Sequence, residues 1–455
     1  MTSHVNTASE QMHEGKRAVS LATWRLMPFL FFAMVINFLD RINIGYASLK
    51  MNADTGISAS SYGLGASIFF VGYILFEVPS NLMLEKFGAR IWIARIMITW
   101  GLISAGMSLV SGPMSFYLMR FLLGVAEAGF FPGIILYITY WFPHSHRARI
   151  IGLFMVAMPV AGVIAAPISV YLLSLDGFLH LRGWQNMFIF EAVLAVILGF
   201  VAFFYLPDQP ATATWLSASQ KSALHKLIGQ EPVAKKMQWQ ERLKSLFCDV
   251  EVVLLSLIFF CILSGLYAIS FWLPQIIKGL GFSLQKIGVV SSIPYIVSAI
   301  AMVVWSRVSD ASGNRVKHLI ASSITCCLGF VLAAVFSKSP LGIVVGLAIA
   351  LASAFAAGPI FWAFSTRILK GDRSAPAIAL ITSLATLGGV VTPAYIGFIK
   401  EFSGEFAISL ISLALIPLIG VGATAYLGFR QHGRLQADIG NPQITSAARQ
   451  TTASN

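Results

Sequence analysis

The amino-acid sequence predicts an all-α membrane protein with twelve transmembrane helices in two six-helix pseudo-repeats. Three observations predict it: a composition too poor in charge to face water, twelve apolar runs of spanning length, and basic residues that alternate from loop to loop. Hydrophobic residues make up 57% of the 455-residue chain and charged residues 11%. Soluble domains carry roughly 25% charged residues, so the uncharged surface is expected to face lipid. The four cysteines, Cys248, Cys261, Cys326 and Cys327, form no CxxC pair. They read as small packing residues, not as a disulfide framework or metal site.

A spanning helix takes roughly 20 apolar residues. Such runs lie near 24–48, 60–84, 91–110, 115–138, 148–172 and 184–206, and again near 251–277, 286–306, 318–336, 340–366, 375–398 and 404–428. The expected organisation is a polar tail at 1–23, a first six-helix half at 24–206, a linker at 207–250, a second half at 251–428 and a tail at 429–455. The first tail carries Glu10, Glu14, Lys16 and Arg17 and lacks the short apolar run of a cleavable signal. The first span is therefore expected to serve as an uncleaved anchor.

Loop charge tests the count, because a wrong number of spans scrambles loop parity. With both termini in the cytoplasm, inner segments hold 22 of the 31 lysines and arginines, among them Lys86, Arg90, Arg147, Arg149, Arg315 and Lys317. Outer loops hold only Lys50, Arg182, Lys278, Lys286, Lys338 and Lys400. This asymmetry predicts a multi-pass protein of the inner or plasma membrane. It also accounts for the formal net charge of +12 as topology, without a nucleic-acid partner.

The loop after the second span of each half repeats an acid, a glycine three residues on and an arginine two beyond. The copies are Glu85, Gly88, Arg90 and Asp310, Gly313, Arg315. Two such halves are the usual architecture of a transporter that rocks about a central site, and the motif residues are expected to lock the inner gate.

These loop motifs resemble the signature of the major facilitator superfamily, with Asn81 and Glu85 in place of its usual glycine and aspartate. Within it, Asn37-Phe-Leu-Asp40-Arg41-Ile-Asn43-Ile-Gly45 resembles the first-helix signature of the anion:cation symporters, and Arg120-Phe-Leu-Leu-Gly-Val-Ala-Glu127-Ala-Gly-Phe-Phe-Pro132 their fourth-helix signature. The resemblance spans roughly residues 24 to 430. It implies proton-coupled uptake of a small organic anion, with no cofactor beyond the proton and no enzymatic step. Phe154-Met-Val-Ala-Met-Pro159 and Ser174-Leu-Asp-Gly177 look closest to the tartrate and hydroxyphenylacetate branches.

A charge at mid-bilayer costs at least about 2.5–3.5 kcal/mol, so one retained there usually faces a cavity and acts. Asp40, Arg41, Glu77, Arg120, Glu127 and Glu191 all lie in first-half spans, while span centres of the second half carry essentially none. Arg120 and Glu127 share a helix face two turns apart, about 10.5 Å. Asp40 is therefore expected to bridge to Arg120. Arg41 follows Asp40 by about 100° of rotation, which directs it to the central cavity. Its planar fork fits a carboxylate, and the family resemblance agrees in making Arg41 the substrate anchor. Glu127 and Asp40 are the expected proton sites, with Arg120 between them. The alternative is a network that only holds helices together, and Glu77 and Glu191 read as structural.

Tyr73, Tyr267, Trp362 and Phe38 lie on helices that line the cavity in this family. Where its galactonate-transporting members carry tyrosine, glutamine and asparagine, this chain carries Phe38, Met158 and Thr382. Ser365 and Thr382 remain as small polar contacts, although such hydroxyls often bond their own backbone. The expected substrate is a monocarboxylate with an apolar or aromatic body; a tartrate-type dicarboxylate or sugar acid is the alternative. Other classes fit less well. His13-Glu14 is followed by Arg17 where a metalloprotease helix needs histidine, and there is no phosphate-binding GxxxxGK[ST] loop. A transporter-like receptor or passive channel has no need of buried titratable groups. A monomer in the bilayer, with small anion and protons as partners, is expected.

Overall fold

Apolar segments in lipid must satisfy every backbone N–H and C=O internally, which leaves the helix as the element for this sequence. The computed structural model describes residues 2–229, 248–369 and 374–439, with side chains described from residue 12 and not at 374–375 or 432–439. In chain order the helices are α1 (Thr2–Thr55), α2 (Ala59–Phe87), α3 (Ala89–Gly106), α4 (Pro113–Glu127), α5 (Phe130–Trp141), α6 (His144–Leu173), α7 (Gly183–Tyr205) and α8 (Ala218–Gly229). The second half follows with α9 (Val250–Lys278), α10 (Leu284–Ser312), α11 (Arg315–Val335), α12 (Pro340–Ile368), α13 (Ser374–Ser403), α14 (Phe406–Leu413) and α15 (Leu415–Ile439).

Twelve spans among the described residues are long and apolar enough to cross a membrane, with α4–α5 and α14–α15 each forming one. Phe204, Phe402 and Phe429 are more than 80% exposed, a surface that only lipid makes favourable. Span ends are set by ordinary capping chemistry. Ser58 accepts from Ser61 N before α2, and Ser339 accepts from Gly342 N with Pro340 opening α12.

Four segments differ from the sequence expectation. Residues expected as a polar tail continue α1 from Thr2, because Ala18, Val19 and Ala22 give that turn a buried apolar stripe. The linker is partly folded: α8 packs there, and a Cβ on Gly15 would lie 2.6 Å from Leu227 Cδ1. The linker's Lys235, Lys236, Arg242 and Lys244 lie outside the described residues. The fourth span is broken: Ala128 leaves helical geometry and Gly129 takes φ +86°, three residues before Pro132. Past 429, α15 runs on to Ile439.

The two halves meet most tightly at the end where α1, α6, α9 and α13 finish. There α2 and α13 form a seam with almost no side chain between backbones. A Cβ on Gly63 would lie 2.4 Å from Pro393 O, and one on Gly397 2.4 Å from Ala59 O. Ala394 N donates to Ser67 Oγ, Gln275 to Ser48 Oγ, and Tyr62 OH to Phe271 O. Farther along the seam Ser383 Oγ donates to Glu77 at 3.2 Å.

Candidate functional site

Two glycines bring the charged residues together. Gly72 of α2 and Gly124 of α4 let those backbones touch, with a Cβ on Gly124 falling 2.0 Å from Phe69 O and one on Gly72 2.5 Å from Phe121 O. Small residues of this kind are how membrane helices approach closely. The crossing sets Phe69 and Tyr73 of α2 and Arg120 and Glu127 of α4 against the middle of α1. Gly129 seats the break after Glu127 on α2, where its Cβ would meet Ser80 Oγ at 2.3 Å. Glu127 is thus the last residue of a half-helix, a placement that recurs at binding sites in transporters.

At the centre, Arg41 is 6% exposed and Glu127 is fully buried. The Arg41 guanidinium forms an ion pair with Glu127 Oε1. Its Nη1 donates to Tyr267 OH at 3.4 Å, which carries the site across to α9 of the other half. The rings of Tyr73 and Phe69 flank it at 5.3 and 5.4 Å, within the range where an aromatic face attracts a cation. Arg41 Nε and Glu127 Oε2 have no hydrogen-bond partner, so each keeps bonding capacity in a buried site.

The Asp40–Arg120 bridge expected from sequence is absent. Asp40 instead accepts from Ser104 of α3 and from Asn43 Nδ2 at 3.2 Å. Arg120 donates Nε to Gly65 O at 3.3 Å and lies over Phe69 at 4.7 Å. The physical reason is which way α1 faces: Asp40 points into the first half toward α3, and Arg41, one residue on, meets Glu127. Arg41 therefore has an acidic partner where the sequence analysis left it none.

The expected cavity residues are spread more widely. Tyr73 and Tyr267 touch Arg41. Phe38 packs edge-on against Phe355 of α12, and Met158 is half-buried beside the same core. Trp362 belongs to a separate core of the second half, against Phe259 and Phe361. Ser365 Oγ donates to Phe361 O and Thr382 Oγ1 to Ile378 O, so both hydroxyl protons are held by their own helices. A pocket enclosed by Cys261, Ser322, Cys326 and Pro417 has about 10 Å³ of free space, too little for an organic anion.

At the loop motifs the partners differ from the expected pattern. Arg90 N donates to Asp208 Oδ1 at 2.8 Å and its guanidinium approaches Asp208 at 4.0 Å, while Glu85 is exposed. A Cβ on Gly88, at φ +88°, would fall 2.7 Å from the same Asp208 Oδ1, so only glycine admits that carboxylate. Sequence reasoning missed Asp208, since it lies far along the chain behind Pro207. In the second copy Arg315 does pair with Asp310, and Gly313 caps α10 at φ +69°.

Residues 30–393 match the family described as the Major Facilitator Superfamily. The chain is 44% identical over 411 residues to an Agrobacterium vitis protein named "Putative tartrate transporter", across 90% of this chain and 94% of that one. It is 42% identical over 409 residues to the "Quinolone resistance transporter" of Acinetobacter baumannii, across 89% and 94%. A solved bacterial homologue of the human lysosomal transporter Spinster, inward-facing and occupied, superposes with a TM-score of 0.70 at 15% identity, across 89% of this chain and 96% of that one. That likeness bears on the fold alone.

Proposed function

We propose that this chain, which belongs to the major facilitator superfamily, imports a small organic anion together with protons, Arg41 anchoring the anion and Glu127 coupling it to the proton. The observation that carries this reading is the buried Arg41–Glu127 pair at the junction of the halves. An anion's carboxylate and the Glu127 carboxylate want the same guanidinium fork. While Glu127 is ionised, Arg41 is occupied. A proton on Glu127 removes that competitor, and the substrate carboxylate takes its place beside Tyr267 and Tyr73. Loss of the proton on the other side restores the pair and expels the anion. Proton and anion therefore travel together.

The basic loops support a reading with both termini in the cytoplasm of an inner or plasma membrane. The tight seam then closes the outer end, which supports an inward-facing state. Around Arg41 the walls are Phe69, Tyr73 and Tyr267, and the Ser365 and Thr382 protons are engaged elsewhere. This favours a monocarboxylate with an apolar or aromatic body. A tartrate-type dicarboxylate is the second reading, favoured by the 44% identical relative.

The test is uptake by proteoliposomes under an imposed pH gradient, with a panel of organic acids competing. Glu127→Gln mimics the protonated acid, so it is expected to exchange substrate in counterflow yet fail to concentrate it. Accumulation by this variant under a pH gradient alone would overturn the coupling role. Stronger competition by tartrate than by hydroxyphenylacetate would select the dicarboxylate reading.

A further inference from the structure

Helix α1 carries a second polar face, turned away from Arg41. Asp40, Asn43 and Tyr46 recur every third residue and lie within about 120° of rotation of one another, and none is more than 1% exposed. Its Asp40 meets Ser104 of α3, and α1 packs along α7, which carries Glu191, itself 1% exposed. Glu191 accepts from Ser169 of α6 at 2.7 Å. Asn43 donates to Asp40 Oδ1 and its side chain lies near Glu191. One oxygen of each acid, Asp40 Oδ2 and Glu191 Oε2, is buried with no hydrogen-bond partner.

The charge balance is one-sided. Asp40, Glu77, Glu127 and Glu191 are buried in the first half against the buried cations Arg41 and Arg120. Arg41 is engaged by Glu127. Arg120 is turned to Gly65 O and the Phe69 ring and makes no ion pair with Asp40. Glu191 makes no ion pair among the described residues; its polar neighbours are Ser169 and Asn43. A buried charge without a partner is expensive, and a proton is the simplest group that removes it.

We infer that Asp40 and Glu191, bridged by Asn43, hold one shared proton, which makes Glu191 a second proton site of the transport cycle and Asn43 its positioning residue. The amide suits the bridge because it has donors and an acceptor. Its N–H groups serve whichever carboxylate is ionised, and its carbonyl accepts from the one that is protonated. Transfer breaks the O–H bond of one acid and forms one on the unpartnered oxygen of the other, while the Asn43 amide turns about its side-chain bond so that its N–H groups again face the ionised carboxylate. The inference rests on protons being the coupling ion.

The test needs no substrate. The full-length protein in liposomes is titrated between about pH 5 and 9, following the infrared carbonyl band of protonated carboxylic acids. Two acids sharing a proton titrate as a unit, so removing one must move the other. Glu191→Gln keeps an acceptor for Ser169. It is expected to remove part of the band and to move the Asp40 midpoint by roughly one pH unit or more. Asp40→Asn is expected to move the Glu191 midpoint likewise, and Asn43→Leu both. A purely structural Glu191 would leave the Asp40 midpoint in place, and that result would overturn the inference. So would a wild-type band that does not titrate, or a midpoint that moves when sodium replaces choline, which would mark a metal-cation site. Failure of proton coupling itself is read separately, from the Glu127→Gln uptake assay.

Discussion

Arg41 offers its carboxylate partner a flat pair of N–H donors, and that shape matters as much as its charge. Lysine would keep the charge but present a single point with a hydrated ammonium. Arg41→Lys is therefore expected to weaken anion binding at least about tenfold, roughly 1.4 kcal/mol, with the protein still folded; ligand-induced shifts in melting temperature measure it. An unchanged affinity would move the anchor elsewhere. The divergence of Asp40 and Arg41 was legible from the helix period alone. The partner of Arg41 was not, because it depends on how α4 crosses α2, which Gly72 and Gly124 decide through their contacts with Phe121 and Phe69, 49 and 55 residues away in the chain. Asn43 was in view within the first-helix motif, but its bond to Asp40 emerges only when the spacing of three is read as one face.

The α2–α13 seam belongs to the scale of elements. Its glycines allow backbone contact that any side chain would prevent. Gly397→Leu is expected to wedge the seam apart while each half keeps its own core. Overpacking of this kind costs about 1–3 kcal/mol, enough to lower the closed-end population roughly 5- to 150-fold. Spin labels on the outer ends of α2 and α13 would report longer distances and counterflow would slow; an unaltered distance distribution would rule the seam out as a gate. Most spans were legible because an apolar run of fixed length leaves few choices. The break after Glu127 was harder to see, since Pro132 alone does not locate it and the left-handed Gly129 does so only with Ser80 beside it. The buried start of α1 was hidden because its partner, α8, lies in a stretch that reads as linker.

On the scale of the whole molecule, titratable groups are separated by depth. At the closed end Lys50 pairs with Asp176. The hydrogen bond from Lys50, with that from Gly183 N, holds the Asp176 carboxyl below the usual carboxylate range. A carboxyl lowered on folding stabilises above its unfolded value, about 3.9, and loses that contribution as pH falls through its lower folded value. Between pH 5 and 8 Asp176 therefore stays charged and cannot act as the proton switch. Asp176→Asn is expected to leave the pH profile of uptake unchanged and to lower stability by less than about 1 kcal/mol, as for exposed ion pairs generally. A displaced profile would show that the outer latch takes part in coupling. The polar stripe of α1 has a consequence for how the chain is made. The first span carries Asp40 and Arg41, and their partners Ser104, Glu127 and Tyr267 are synthesised later. At roughly 5–20 residues per second, the ribosome reaches Glu127 on the order of 4–17 seconds after Arg41. For that interval the nascent helix holds its charges unpaired, so it must linger beside the insertion machinery, or at the lipid boundary, until the later helices arrive to receive it.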